Sequence, residues 1–239
     1  MKHLLLMGLL LASMISAAQA QSWNGTLSPS DQTRDGGQYM DVYKFKVGVQ
    51  GNQAQKFTIR LADLSDDDTL DTFLIVESPS GERVENDDFD GDQTVSQVEL
   101  IATEPGDWRV LASSYEQGQT GAYEVVVTPG PMGTVRTIEG RLDGRDQVSL
   151  KGEYFDTHSL EAAVGTQFML ELVSLGFDGY LALKAPSGQF WRNDDEGGST
   201  TLSRIGPIEG EAGAWTAYVT SASAEEVGAY DLRIITFGK

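Results

Sequence analysis

Apolar and polar positions alternate with period two along almost the whole chain after residue 20. Tyr39, Asp41, Tyr43, Phe45 and Val47 fall on one face of a strand. Phe57, Ile59 and Leu61 alternate with polar residues, as do Phe168, Leu170 and Leu172. Trp108 with Val110, then Tyr123, Val125 and Val127, mark two further strands; Trp215, Ala217 and Val219, then Tyr230, Leu232 and Ile234, repeat them. This alternation is the signature of half-buried strands, and Gly and Asp/Asn clusters punctuate the runs at the spacing of a sandwich. The pattern predicts an all-β protein whose domains are β-sandwiches of seven or eight strands.

The chain writes its pattern twice. Asp71-Thr72-Phe73-Leu74, Pro79-Ser80-Gly81 and Asn86-Asp87-Asp88 recur 107 residues later as Asp178-Gly179-Tyr180-Leu181, Pro186-Ser187-Gly188 and Asn193-Asp194-Asp195. The same offset carries Gly106-x-Trp108 onto Gly213-x-Trp215, and Gly121-Ala122-Tyr123 onto Gly228-Ala229-Tyr230. Nearer the start the offset is 115, taking Gly25-x-Leu27 onto Gly140-x-Leu142 and Tyr39-x-Asp41 onto Tyr154-x-Asp156. Copy one is therefore eight residues longer between Asp41 and Asp71, a surplus expected in the loops around 48–53 and 65–68. Two tandem domains follow, over 21–128 and 135–239, with 129–134 (Pro129-Gly130-Pro131-Met132-Gly133-Thr134) as a short stiff connector.

Each copy carries a hairpin with a carboxylate problem. A turn centred between Pro79 and Ser80 sets Asp71 opposite Asp88, and the repeat sets Asp178 opposite Asp195. Like charges face to face destabilise a sheet, so a cation or hydrogen-bond donors are expected there. Asn86, Asp87, Asp88, Asp90 and Asp92 around Gly91 resemble the start of a Ca²⁺ loop, with Asp71 able to close the shell. Gln97 stands where an EF-hand needs Glu, so the motif is not that one. Asp178, Asn193, Asp194 and Asp195 form the second candidate, one ligand poorer because Gly197 replaces Asp90. The alternative is that these side chains accept turn N–H groups and face water. Ser65-Asp66-Asp67-Asp68 reads as a self-repelling exposed loop.

Composition narrows the setting. Residues 1–20 read as a signal peptide: a basic start, an apolar run over 4–15 too short to span a bilayer, and Ala18-Gln19-Ala20 as a cleavage site. The expected product is exported, periplasmic or extracellular. Formal charge is −19, from 17 basic and 36 acidic side chains, a surface that repels nucleic acid and anionic lipid. There is no cysteine, so no disulfide and no lipid-modified Cys. His158 is the single histidine left after signal cleavage and falls on an inward strand position, which reads as a core residue rather than a catalytic base. Zinc catalysis lacks ligands, and no set of nucleophile, base and acid is visible. Of the adjacent pair Phe190 and Trp191, one must face outward; an exposed ring there is a candidate ligand-binding residue, against packing at an interdomain contact. Trp23, Trp108 and Trp215 read as core.

The ordered set Gly-x-Leu, Tyr-x-Asp-x-Tyr-x-Phe, Asp-x-Phe-Leu, Pro-Ser-Gly, Asn-Asp-Asp, Gly-x-Trp and Gly-Ala-Tyr resembles the bacterial pre-peptidase C-terminal (PPC) domain, in both copies. The resemblance implies jelly-roll-like sandwiches of the kind appended to secreted peptidases, where they assist secretion, localisation or substrate binding; related collagen-binding domains take Ca²⁺. Two departures stand out: no peptidase domain accompanies the pair, and copy two has His158 and Leu160 where copy one has Tyr43 and Phe45. The expectation is a non-catalytic exported protein that binds a secreted enzyme, an envelope component or an extracellular polymer, with Ca²⁺ as a structural ion. The rivals are a carbohydrate-binding module using Phe190 or Trp191, a peptidase inhibitor or chaperone acting in trans, and a hydrolase that would have to use His158.

Overall fold

The computed structural model describes residues 19–65 and 69–238. The expected signal segment and the centre of the 65–68 loop lie outside the described residues, apart from Gln19, Ala20 and Ser65. Among the described residues all regular structure is strand, and no helix is long and apolar enough to cross a membrane.

Copy one holds β1 (Gln21–Leu27), β2 (Gln32–Thr33), β3 (Tyr39–Val47), β4 (Gln53–Asp63), β5 (Thr72–Glu77), β6 (Arg83–Asn86), β7 (Val95–Ala102) and β8 (Gly106–Ser114). The long β9 (Gly121–Leu142) leads into copy two: β10 (Gln147–Val148), β11 (Tyr154–Glu161), β12 (Gln167–Leu175), β13 (Gly179–Lys184), β14 (Phe190–Asn193), β15 (Leu202–Glu209), β16 (Ala214–Ser221) and β17 (Gly228–Phe237). Apart from the two-residue β2 and β10, each copy uses eight strands, counting its share of β9. Each copy has its own outer sheet of five strands, in the order β2-β3-β8-β5-β6 and β10-β11-β16-β13-β14. The remaining strands form one seven-stranded sheet, β15-β12-β17-β9-β4-β7, with β1 also on β9. The result is two β-sandwiches fused through a common layer.

That common layer departs from the expected connector. Residues 129–134 are strand, in the middle of β9. The first half of β9 pairs with β1 (Trp23 with Val125) and is the last strand of copy one; the second half pairs with β17 (Ile138 with Leu232) and is the first strand of copy two. β4 flanks β9 on the opposite side, and its first residues, Gln53 to Gln55, pair with Met132 to Thr134. Pro129 and Pro131 are tolerated because β4 shifts register between Gln55 and Phe57 there, so the missing N–H groups fall at a bulge. Pairing makes Ile59 equivalent to Leu170, an offset of 111 between the flanking 115 and 107. Half of copy one's eight extra residues thus fall before Ile59, at the end of β3 and the start of β4, and the loop between those strands is no longer than its counterpart in copy two. β1 and β17 lie end to end along the same side of β9, with Gln21 opposite Val127 and Phe237 opposite Gly133.

Period-two alternation fills the two interiors as expected. Phe45, Ile59, Leu74, Val76, Trp108, Val110 and Val125 pack in the first; Leu160, Leu170, Leu181, Leu183, Trp215, Val219 and Leu232 pack in the second. A third small cluster, Ala54, Met169, Ile235 and Phe237 with Ile101 and Val135, joins the copies on the other face of the common sheet. Gly133 has no room for a side chain, because Phe237 and the Thr236 carbonyl occupy it. Lys56 lies 4.7 Å over the Phe237 ring and donates to Gln167 Oε1 at 2.5 Å. Arg204 of β15 pairs with Glu171 (2.9 Å) and Glu196 (3.1 Å) and reaches Glu82 of copy one at 3.4 Å.

The shared motifs meet inside each sandwich. In copy one the Tyr123 hydroxyl donates to Asp41 Oδ2 at 2.5 Å and accepts from Tyr43 at 2.8 Å, while Trp23 stacks on Tyr43. In copy two Tyr230 donates to Asp156 Oδ2 at 2.6 Å and meets His158 Nε2 at 2.8 Å. Since Tyr230 gives its one proton to Asp156, His158 must carry its own proton on Nε2. A Cβ on Gly25 or Gly140 would run into the Tyr123 or Tyr230 ring, which explains both glycines.

Two measurements check this packing. Arg204→Ala leaves the Glu171 carboxylate, 5 % exposed, without its main partner, and denaturant unfolding should show a loss of about 3 kcal/mol. Restoring an apolar pair, as Arg204→Met with Glu171→Met, should recover most of it. Gly140→Ala should cost about 1–3 kcal/mol by overpacking against Tyr230, whereas alanine at exposed Gly144, near van der Waals distance from Tyr154, should cost far less.

Candidate functional site

Three places carry candidate chemistry: the acidic corners, the hydroxyl–carboxylate networks, and the outer faces of the five-stranded sheets.

The acidic corners follow from the hairpins, with a one-residue correction. The turn Ser78–Glu82 is closed by Ser78 N–H to Glu82 O at 2.8 Å and Gly81 N–H to Ser78 O at 3.0 Å, so it centres on Ser80. Leu74 therefore pairs with Asn86, and in copy two Leu181 pairs with Asn193. Asp71 and Asp88 fall beyond the ladder rather than opposite each other. They still repel: burial first, then Asp88, Glu116 and Asp87, pushes the Asp71 carboxyl above its ordinary range. Burial, then Asp195, Glu226 and Asp194, does the same to Asp178.

Several of the other expected Ca²⁺ ligands have structural employment, while no hydrogen bond engages the carboxylates of Asp88, Asp90, Asp194 and Asp195 among the described residues. Asn86 Oδ1 accepts from Gln97 N–H at 2.9 Å and Asn193 Oδ1 from Arg204 N–H at 3.1 Å, each tying its hairpin to the next strand. Asp87 accepts from the following N–H, and Asp92 caps Thr94 through both N–H and hydroxyl. Asp90 takes φ 58° beside Gly91 at 80°, the tight turn that Asp and Gly tolerate. Asp194 accepts through its backbone carbonyl from Ser203. Among the described residues no three acidic side chains converge as a ready-made metal site. Among the expected ligands one oxygen stands apart: Asp178 Oδ1 is buried without a hydrogen-bond partner, as is Oε2 of nearby Glu226.

The networks around Tyr123 and Tyr230 are structural. Burial, reinforced by the Asp41 acceptor, lifts the Tyr123 hydroxyl far above its ordinary value, and Tyr230 behaves alike beside Asp156. Burial holds the His158 imidazole below its usual value, against the pull of Asp156 and with help from Arg136. His158 sits where the sequence expected it, satisfied inside the sandwich.

Phe190 and Trp191 separate as adjacent strand residues must. Trp191 turns inward and stacks on Trp215 at 5.8 Å, which corrects its place among ligand-binding candidates. Phe190 points out, 55 % exposed, 6.3 Å from the Tyr218 ring. It belongs to a face that only register reveals. Across that sheet run the rows Phe155–Thr220–Tyr180, Thr157–Tyr218–Ala182–Arg192 and Ser159–Thr216–Lys184–Phe190.

The same rows in copy one read Met40–Ser113–Phe73, Val42–Leu111–Ile75–Glu85 and Lys44–Arg109–Glu77–Arg83. There the face is closed. Arg34 lies 4.1 Å over Phe73 and donates to Ser114 O at 3.0 Å, Tyr115 packs on Phe73, and Leu111 and Ile75 are only 4 % and 5 % exposed. Glu77 holds Arg109 at 2.6 Å and Arg83 at 2.8 Å. Copy two has Ser149 in place of Arg34 and Ala222 in place of Tyr115, so its cover is gone. Lys184 replaces Glu77 and Phe190 replaces Arg83, so its ion pairs are gone as well.

Two concavities complete the survey: one of about 240 Å³ bordered by Leu160, Thr166, Phe168 and Ile234, and a polar cleft of about 530 Å³ between the copies, bordered by Ser80, Glu82, Glu104, Thr137 and Arg233. Neither includes His158 or the open aromatic face.

No family model matches this chain, and no curated protein matches it. Among solved structures, the major capsid protein P2 of bacteriophage PM2 aligns at 9 % identity over 91 % of this chain and 98 % of its own, with a TM-score of 0.30. The STIV MCP aligns at 10 % identity over 91 % and 97 %, with a TM-score of 0.28. A putative secreted protein from Eubacterium rectale aligns at 10 % identity over 83 % and 70 %, with a TM-score of 0.25. Scores this low carry no functional inference; the all-β, two-sandwich architecture is read from the chain's own ladders.

Proposed function

We infer that this chain is an exported, non-catalytic binding protein of two PPC-like sandwiches, whose partner is a secreted protein, an envelope component or an extracellular polymer. The observation that carries the reading is the divergence of the outer faces. Copy one covers its apolar sheet face with Arg34 and Tyr115, and copy two has lost both covers while gaining Phe190 and Tyr218 and keeping a ring, Tyr180, in the place of Phe73. Leaving aromatic rings in water is unfavourable unless a partner removes them from it, and aromatic residues dominate the energetics of protein interfaces. Retention of the purified chain on the cell-envelope fraction and matrix of the producing cells tests this. Phe190→Ala with Tyr218→Ala should abolish retention without changing the unfolding midpoint; unchanged retention would remove the face from the function.

A structural Ca²⁺ is part of the same proposal, and the orphaned Asp178 Oδ1 favours copy two's corner over copy one's. Saturating Ca²⁺ should raise the thermal midpoint over chelator, the added stability being about 2.7 kcal/mol at a hundredfold excess over Kd. No shift removes the metal. In chelator, Asp178→Asn relieves repulsion and should raise the midpoint at pH 7. The raised folded pKa sets the sign: wild type gains stability relative to its unfolded chain as pH falls through that value, and gains no more below the ordinary carboxylate pKa. The advantage of Asp178→Asn over wild type should therefore shrink across that acidic window. An advantage independent of pH would assign the effect to packing.

A further inference from the structure

The chemistry of the open face narrows its partner. In a chain of formal charge −19, the centre of this sheet face carries two cations and no carboxylate. Lys184 and Arg192 are both exposed, and among the described residues neither makes an ion pair. Carboxylates appear at its margins, Glu161 at the end of β11 and Asp194 just past β14. In the corresponding row of copy one Glu77 ties up both Arg83 and Arg109, whereas Lys184 and Arg192 in copy two have no carboxylate between them.

The rings are set into this field by the pleat. Phe190 is next to Lys184 on the facing strand; Tyr218 lies across from Ala182, a residue too small to screen it, with Arg192 beyond. Thr157, Ser159 and Thr216 add hydroxyls in the same rows. Phe190 and Arg192 sit on β14, the edge strand of this sheet, and the other face residues lie on β13, β16 and β11 inside it. The face borders neither of the two concavities, which argues against a small enclosed ligand.

We propose that the outer face of the β10-β11-β16-β13-β14 sheet binds an anionic polysaccharide, a polymer of uronic-acid type. Phe190, Tyr218 and Tyr180 stack on the apolar faces of successive sugar rings, and Lys184 and Arg192 pair with their carboxylates. The proposal rests on the binding function above and names its ligand class. Charge complementarity supplies selection and rings supply area, so both contributions are separable by mutation.

The test is affinity electrophoresis and titration calorimetry of the full exported chain with polygalacturonate, and with neutral dextran as the comparison polymer. Binding to polygalacturonate should weaken with salt. It should fall at least about tenfold in Lys184→Glu with Arg192→Glu, and again in Phe190→Ala, each with an unchanged unfolding midpoint. Lys44→Glu on the equivalent face of copy one should leave binding intact. Equal affinity for dextran, or binding untouched by the charge swaps, overturns the acidic-polymer assignment while the Phe190 dependence of envelope retention keeps the broader function. Concentration-dependent dimerisation abolished by Phe190→Ala assigns the face to a second copy and also overturns it. Loss of neither polymer binding nor envelope retention in Phe190→Ala with Tyr218→Ala removes both readings.

Discussion

The ladder along β9, broken by a single bulge, is the constraint from which the rest of the molecule takes its form. A chain that leaves one sandwich and enters the next ordinarily exposes the backbone between them to water. Here Gly121 to Leu142 are paired on at least one side except Gly130 and Pro131 at the bulge, with β1 and then β17 on one side and β4 on the other. Paired backbone groups are spared the penalty of burial without partners, so the junction can also carry apolar side chains. Ala54, Ile235 and Phe237 use it in that way, and the longer β4 reaches across to support them. Rigid alignment follows from hydrogen bonding, not from a stiff linker sequence.

Within that frame the two copies differ by layer. The inner motif is the same in both: glycine giving space, tyrosine filling it, aspartate accepting the hydroxyl. His158 for Tyr43 is a tolerated exchange because imidazole Nε2–H supplies the same donor. Outer residues have been rewritten row by row. Interior positions answer to close packing, where a methylene is felt; outer positions answer to whatever lies beyond the protein. The contrast between Glu77 with its two arginines and Lys184 beside Phe190 belongs to the second kind.

Much of this was legible in the chain itself. Period-two alternation located the strands, and the repeated Gly-x-Leu, Tyr-x-Asp and Gly-Ala-Tyr marked the duplication, because sheets and close approaches leave periodic or invariant spacings. The connector was misread since Pro129-Gly130-Pro131 has the composition of a loop, and only the partner strand shows that the missing N–H groups fall at a bulge. The hairpin register was one residue off because a five-residue turn and a tighter one share the same Ser-Pro-Ser-Gly letters. Asn86 and Asp92 looked like ligands for a related reason: an oxygen that accepts a turn N–H and one that holds a cation are the same residue type. The open face was missed for Tyr180, Tyr218, Lys184 and Arg192, which lie up to 38 positions apart and become neighbours only through pairing. Comparing Arg34 with Ser149 and Tyr115 with Ala222 across the duplication would have been the available signal.

The placement of β1 and β17 has a topological corollary. Gln21 and Phe237 both abut the middle of β9, opposite Val127 and Gly133, which stand about 20 Å apart along that strand. A short bridge of extended chain between them would turn β1 and β17 into a second continuous spine running antiparallel to the first. A chain bridged in that way would run as a closed ring, and new ends opened in an exposed turn such as 80–82 would leave every ladder in the common sheet intact.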